Sequence, residues 1–188
     1  MMRALIVAAL LALAPLPAHA AAFTLSEAQK QEAMRVGAAS ITTEGFDAEW
    51  RVTNGGGESL MVLTPFHRLA LAARHAAFKD EPLKPSEPDR VLRQDSQRLV
   101  LWVHLRGRTE GFARFYTPRL VAGAREIKPA FVQNEHTAAR REDGAYVARC
   151  VYGFPARDVA EATTVALVVA DREGREVSRF TIDLSTMR

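Results

Sequence analysis

The second half of the chain is a series of strand-forming runs, and at both ends of it side chains alternate with a period of two. Leu99, Leu101, Val103 and Leu105 interleave with Val100, Trp102, His104 and Arg106, and Phe180, Ile182 and Leu184 with Arg179, Thr181 and Asp183. Extended strands put such positions on opposite faces, so the second half of the chain must build sheets. Further strand-forming runs at 112–121, 127–132, 146–154 and 163–170 are set off by Gly111, Gly123, Gly144 and Gly174, residues that turn a chain. Pro129 inside the third run predicts an edge strand or a bulge. Nearer the start, Phe46, Ala48 and Trp50 alternate with Asp47, Glu49 and Arg51, and a second run occupies 60–63. The glycine-rich stretch from Asn54 to Gly57 joins them as a hairpin. It lacks the Lys-Ser/Thr of a phosphate-binding loop and precedes a strand, so it reads as a turn.

About eight strands at this spacing predict a mainly β, α+β fold. The expected form is an antiparallel, immunoglobulin-like β-sandwich decorated with two or three short helices. The paired cysteines of antibody domains are absent, because Cys150 is the only cysteine. The alternative architecture is one curved antiparallel sheet wrapped around the helix at 64–78. The 188 residues divide into a signal peptide at 1–20, an N-terminal helical arm at 21–45, and one sandwich domain at 46–188 with a helical insertion at about 64–97.

The leader assignment rests on Arg3, the apolar run 4–14, and the small-x-small sequence Ala18-His19-Ala20. The run is shorter than the roughly 20 residues that span a bilayer. Cleavage after Ala20 sends the protein to the periplasm or outside the cell, and the chain is expected not to span the membrane afterwards. It also removes Arg3 and lowers the formal charge of +3 by one.

Three helices are expected. Ser26 with Gln29 resembles a capping box for a helix that stops near Gly37; its thin apolar face (Ala28, Ala33, Met34, Val36) predicts weak packing. Thr64 followed by Pro65 is an N-cap and first helical residue for a helix reaching about residue 78. One arc of that helix is apolar and alanine-rich, suited to lying close on a sheet. The other carries His67, Arg68, Arg74 and His75 with Leu71 and Phe78, and is the most distinctive surface in the chain. A third, short helix follows Ser86, with Val91 and Leu92 as its buried pair. Glu87, Asp89 and Asp95 are available to neutralise the basic arc, which would make that arc structural.

The chemistry legible here is limited. A single cysteine excludes an internal disulfide framework and multi-cysteine metal sites. Cys150 shares a strand face with Tyr146, Ala148, Tyr152 and Phe154, which predicts a packed core thiol. His67 and His75 are two helical turns apart, too far to grip one ion directly. No metal and no cofactor are expected. No Gly-x-Ser-x-Gly elbow occurs, and Glu135-His136 reads as a loop pair.

Two regions are candidate binding surfaces: the basic arc, and the stretch 112–119, where Arg114 and Arg119 interleave with aromatics. The second also reads as an ordinary half-buried strand. All but four of the cations (Lys30, Lys79, Lys84, Lys128) are arginine, suited to gripping carboxylates and phosphates. Export and a near-neutral charge argue against nucleic acid. The expectation is an exported, non-enzymatic binding module of the bacterial envelope, meeting an envelope protein or an anionic glycan or lipid. The alternatives are a carrier of an apolar or anionic ligand in a helix–sheet cleft, and an enzyme with an unrecognised His/carboxylate site.

Overall fold

A computed structural model describes residues 23–160 and 162–188. The expected leader at 1–20 lies outside them. Three helices precede the long strands or lie among the first of them: α1 (Glu27–Ala39), α2 (Pro65–Phe78) and α3 (Glu87–Arg93). The strands are β1 (Arg51–Thr53), β2 (Ser59–Leu63), β3 (Arg98–Gly107), β4 (Thr117–Ala122), β5 (Arg125–Ile127), β6 (Phe131–Gln133), β7 (Ala139–Arg140), β8 (Tyr146–Pro155), β9 (Thr164–Ala170) and β10 (Glu176–Asp183), with a one-turn helix α4 (Ala156–Val159) after β8. The first sheet runs β1-β2-β3-β8-β6, with β7 also pairing β8; the second runs β10-β9-β4-β5. The pairings are antiparallel. The fold is mixed α+β, built mostly from antiparallel sheets with few helices, and neither sheet closes into a barrel.

One core serves both sheets. Leu101, Val103 and Tyr152 from the first sheet and Leu120, Leu167 and Phe180 from the second belong to the same buried cluster. This is the alternation at work: β3 buries 99, 101, 103 and 105 and turns 102, 104 and 106 outward. The hairpin of β1 and β2 forms on the 54–57 turn, with Thr53 opposite Ser59. Cys150 is buried, as expected, and burial pushes its thiol pKa up, away from the reactive thiolate.

Three expected strands are corrected. Residues 46–50 form a turn and a short 3-10 helix at Ala48–Trp50, and β1 begins only at Arg51. Coiling brings Phe46 and Trp50 together, with ring centroids 5.7 Å apart, and sets Trp50 into the core. Aromatic packing outweighs the alternation there. Residues 111–115 form turns rather than the start of a strand. The Phe112 ring folds back over Gly107, where a Cβ would stand 2.2 Å from it, and Ala113 is buried beneath the turn. The run 127–132 is cut in two: β5 belongs to the second sheet and β6 to the first, and Pro129 lies in the crossing between them.

The helical arm is also corrected. Ser26 and Gln29 do form the capping box, but α1 continues through Gly37 to Ala39. It packs closely along α2, because Gly37 meets the Ala70 backbone: a Cβ at Gly37 would stand 2.0 Å from the Ala70 carbonyl oxygen. A thin apolar face of small residues permits close approach rather than weak packing. The alanines of α2 therefore receive α1 rather than a sheet. Thr64 caps α2 as expected, its Oγ1 accepting from the His67 N–H. Ser86 makes no side-chain cap for α3, and Val91 and Leu92 are only half-buried.

His67 is 2% exposed. Its ring stacks on Trp50 at 4.3 Å and 12°, and its Nε2 lies 3.1 Å from Asp47 Oδ1. Burial holds its pKa below the ordinary 6.5, and the opposing pull of Asp47 does not reverse this. The unfolded chain thus binds this proton more readily than the folded one.

Two outcomes follow. Gly37→Ala gains roughly 1 kcal/mol of helix propensity but forces α1 off α2. Urea unfolding should show a net loss of about 1–3 kcal/mol, the usual cost of overpacking. His67 contributes stability that is complete above about pH 6.5 and lost as pH falls below it. Denaturant midpoints measured from about pH 7.5 to pH 5 should fall with acidification, and less steeply in His67→Gln.

Candidate functional site

The outer face of the first sheet carries the site. Register aligns Arg51, Met61, Trp102, Val151 and Gln133 in one row across five strands. The next row toward the hairpin turn contains Ser59, His104 and Arg149. On the other side, Leu63, Val100, Gly153 and Phe131 align. Helices α2 and α3 wall this face and leave a groove of about 470 Å³. Val100, Trp102, Val151 and Phe131 form its floor; Leu71, His75 and Val91 stand on the helical wall. Trp102 is 45% exposed and Phe131 40%. A smaller concavity of about 360 Å³ continues past Trp102 to His104, Glu135 and Arg149. A tryptophan this exposed in the middle of a sheet is unusual for a residue whose burial is worth so much.

Cations surround the tryptophan. Asp95 serves two guanidiniums at once, lying 3.7 Å from Arg68 and 3.6 Å from Arg98. At the other end, Arg149 pairs with Glu135 at 3.7 Å, and Glu135 also accepts from the Arg149 backbone N–H at 2.6 Å. Partial burial, then the nearby charges of Arg51, Arg149 and Arg141, push the His104 pKa down. Ser59 Oγ is 3.5 Å from His104 Nδ1, at the outer limit of a hydrogen bond. Among the described residues no carboxylate is hydrogen-bonded to His104, so Ser59, His104 and Glu135 do not make a nucleophile–base–acid relay. No group of three or more His, Cys, Asp or Glu among them is placed to hold a metal ion.

The basic arc of α2 does not form one surface. Leu71 and His75 line the groove, and Phe78, 77% exposed, continues their stripe beyond it. Arg68 reaches the groove edge, but its side chain is only 11% exposed. It donates to the backbone carbonyls of Gln94, Asp95 and Arg98, fastening the chain between α3 and β3. His67 turns into the core. Arg74 turns the other way and lies over the Phe46 ring, 4.8 Å from its centroid. Of the acids expected to neutralise the arc, only Asp95 does so; Asp89 pairs with Lys30 of α1 at 2.9 Å and Glu87 with Arg90 at 3.2 Å.

Arg114 and Arg119 belong elsewhere. Arg119, on β4 of the second sheet, pairs with Glu126 at 3.3 Å. Arg114 is exposed on the turn before β4, near the Phe115 ring, over which Arg172 also lies at 5.3 Å. The structure therefore brings Arg68, Leu71 and His75 together with Trp102 and Phe131, which sequence reasoning did not select. The available signal was Trp102 itself, on the polar phase of the β3 alternation between Val100 and His104.

Arg68→Gln strips a nearly buried charge from three carbonyls. It should cost about 2–3 kcal/mol of stability. Arg74→Glu, which removes a cation–π contact, should cost about 1 kcal/mol or less. Thermal and urea unfolding of the two variants side by side distinguish the fastening arginine from the peripheral one. Comparison of the chain with protein-family models and with curated proteins finds no match to either.

Proposed function

We propose that the protein is an exported, non-enzymatic binding module of the bacterial envelope, built on an immunoglobulin-like two-sheet frame, that docks its partner in the groove on the outer face of the first sheet. Export rests on the leader-like sequence of residues 1–20. The docking reading rests on one observation: Trp102 stands 45% exposed at the centre of an apolar floor. Leaving that indole in water forgoes a burial worth about 1.5–3 kcal/mol, which a partner recovers when it covers the ring. Aromatic anchors in concave, desolvated centres dominate binding energies. The frame is suited to the task, since β2, β3 and β8 have their inner faces packed in the common core. The floor is then presented on a rigid surface.

The carrier alternative draws on the groove's volume, which falls in the range of small-ligand sites. A carrier must hide its ligand, however, and a groove whose floor residues Trp102 and Phe131 stay 40–45% exposed encloses little. The observation favours a partner that brings its own cover.

Immobilised protein and its Trp102→Ala variant, passed over a native envelope extract and eluted with salt, test the reading. A component held by the unaltered protein and lost from Trp102→Ala, with the variant still unfolding cooperatively as a folded protein, is the expected result. Arg114→Glu, on the turn before β4 and outside the groove, should retain it. Equal retention by Trp102→Ala would remove the groove as the docking face.

A further inference from the structure

We infer that the groove accepts a segment of a partner protein carrying an aliphatic or aromatic anchor flanked by carboxylates. This rests on the docking reading above and names the chemistry of the occupant.

The anchor follows from the floor. Val100, Val151, Leu71 and Val91 join Trp102 and Phe131 there; apart from the indole N–H of Trp102, the hydrogen-bonding side chains stand at the margins, on Arg68, His75, Gln94, Asp95, Arg98 and Gln133. A sugar hydroxyl turned down onto the valines and leucine of this floor would go unpaired, which costs free energy. A leucine or phenylalanine side chain gains from the same contact. The floor lies alongside the α2–α3 wall as a groove rather than a flat face, a shape that suits a chain segment better than a planar membrane surface. An apolar anchor on a polypeptide is the occupant that satisfies both conditions.

The flanking acids follow from the ends. At the α3–β3 corner, two guanidiniums, Arg68 and Arg98, share the single carboxylate of Asp95. Arg68 is spent on backbone carbonyls, so Arg98, whose side chain is 47% exposed, is the cation left to a partner. At the opposite end Arg149, 76% exposed, extends beside His104, with Glu135 as the acid facing both. Arg51, in the Trp102 row, adds a further guanidinium, held only at 3.8 Å by Asp47. Positive charge therefore brackets the apolar floor on both sides of Trp102. A partner with carboxylates on either side of its anchor complements this pattern, and one with lysines is repelled.

A selection of displayed random peptides on the purified full-length protein tests this. Alginate, neutral dextran and anionic phospholipid vesicles are titrated in parallel against the long-wavelength fluorescence of Trp102, with Trp102→Phe as the blank. The expected result is enrichment of peptides with a Leu, Phe or Trp anchor between Asp or Glu residues. Their affinity should fall at least about 30-fold in Trp102→Ala, as for a hot-spot residue. It should fall several-fold in Arg98→Glu or Arg149→Glu, more at low salt than at high. Enriched peptides that are neutral or basic, yet still depend on Trp102, would overturn the acidic flanks and leave the docking face intact. Trp102-dependent binding of alginate or vesicles without peptide enrichment would overturn the peptide occupant and likewise leave the face intact. Enriched peptides indifferent to Trp102→Ala, or no enrichment and no fluorescence change with any probe, would overturn this inference and count against the docking reading too.

Discussion

Trp50 is the point on which the helical half of the structure is hung. It is fully buried, stacks on His67, and lies 6.3 Å from the Phe66 ring. Its Nε1 donates to the Arg188 carbonyl oxygen at 3.0 Å, and Thr64, the cap of α2, donates to the same oxygen. Arg188 in turn grips Glu49 with a bidentate pair, at 3.0 and 2.7 Å, and lies over Phe66. One indole thus joins the entry to β1, the first turn of α2 and the segment that follows β10. Removing it would leave a large cavity and take one of the two donors from the Arg188 carbonyl oxygen, a damaging combination for a core residue.

The groove depends on that anchorage at one remove. The first turn of α2 is tied to Trp50 and Arg188, and α1 is pressed along α2 at Gly37. The remaining stripe of α2, Leu71 and His75, is thereby held above the sheet as a wall. Arg68 fastens the other side by binding three carbonyls between α3 and β3. A surface that looks like a row of basic side chains is therefore mostly scaffolding. Its members separate by what they touch: His67 an indole, Arg68 a loop, Arg74 an aromatic ring, and His75 the open groove.

The second sheet contributes support. Val165, Leu167, Phe180 and Ile182 fill the common core from its side. Val168, on its outer face, is buried between Arg119 and Arg179 in register. These arginines pair with Glu126 and Glu176, and flank the valine from the two neighbouring strands, a position from which long cationic side chains cover apolar surface.

The sequence alone determined the features that depend on near neighbours. The alternation that builds β3, β8, β9 and β10, the hairpin turn at 54–57, the caps of α1 and α2 and the buried Cys150 are all set within a few residues by backbone geometry and by which face is apolar. The tertiary structure decided everything that depends on two distant segments meeting. Residues 46–50 coil because Trp50 must reach His67, and 127–132 divides because β5 and β6 pair in different sheets. Gly37 is an approach point only because Ala70 lies opposite. The groove belongs to the same class. Trp102 reads in sequence as one outward residue of a strand, and only the placement of α2 and α3 over that face makes it the floor of a site. Periodicity specifies which way a side chain points along its own element; what stands across from it is set by packing between elements, to which a local pattern carries no reference.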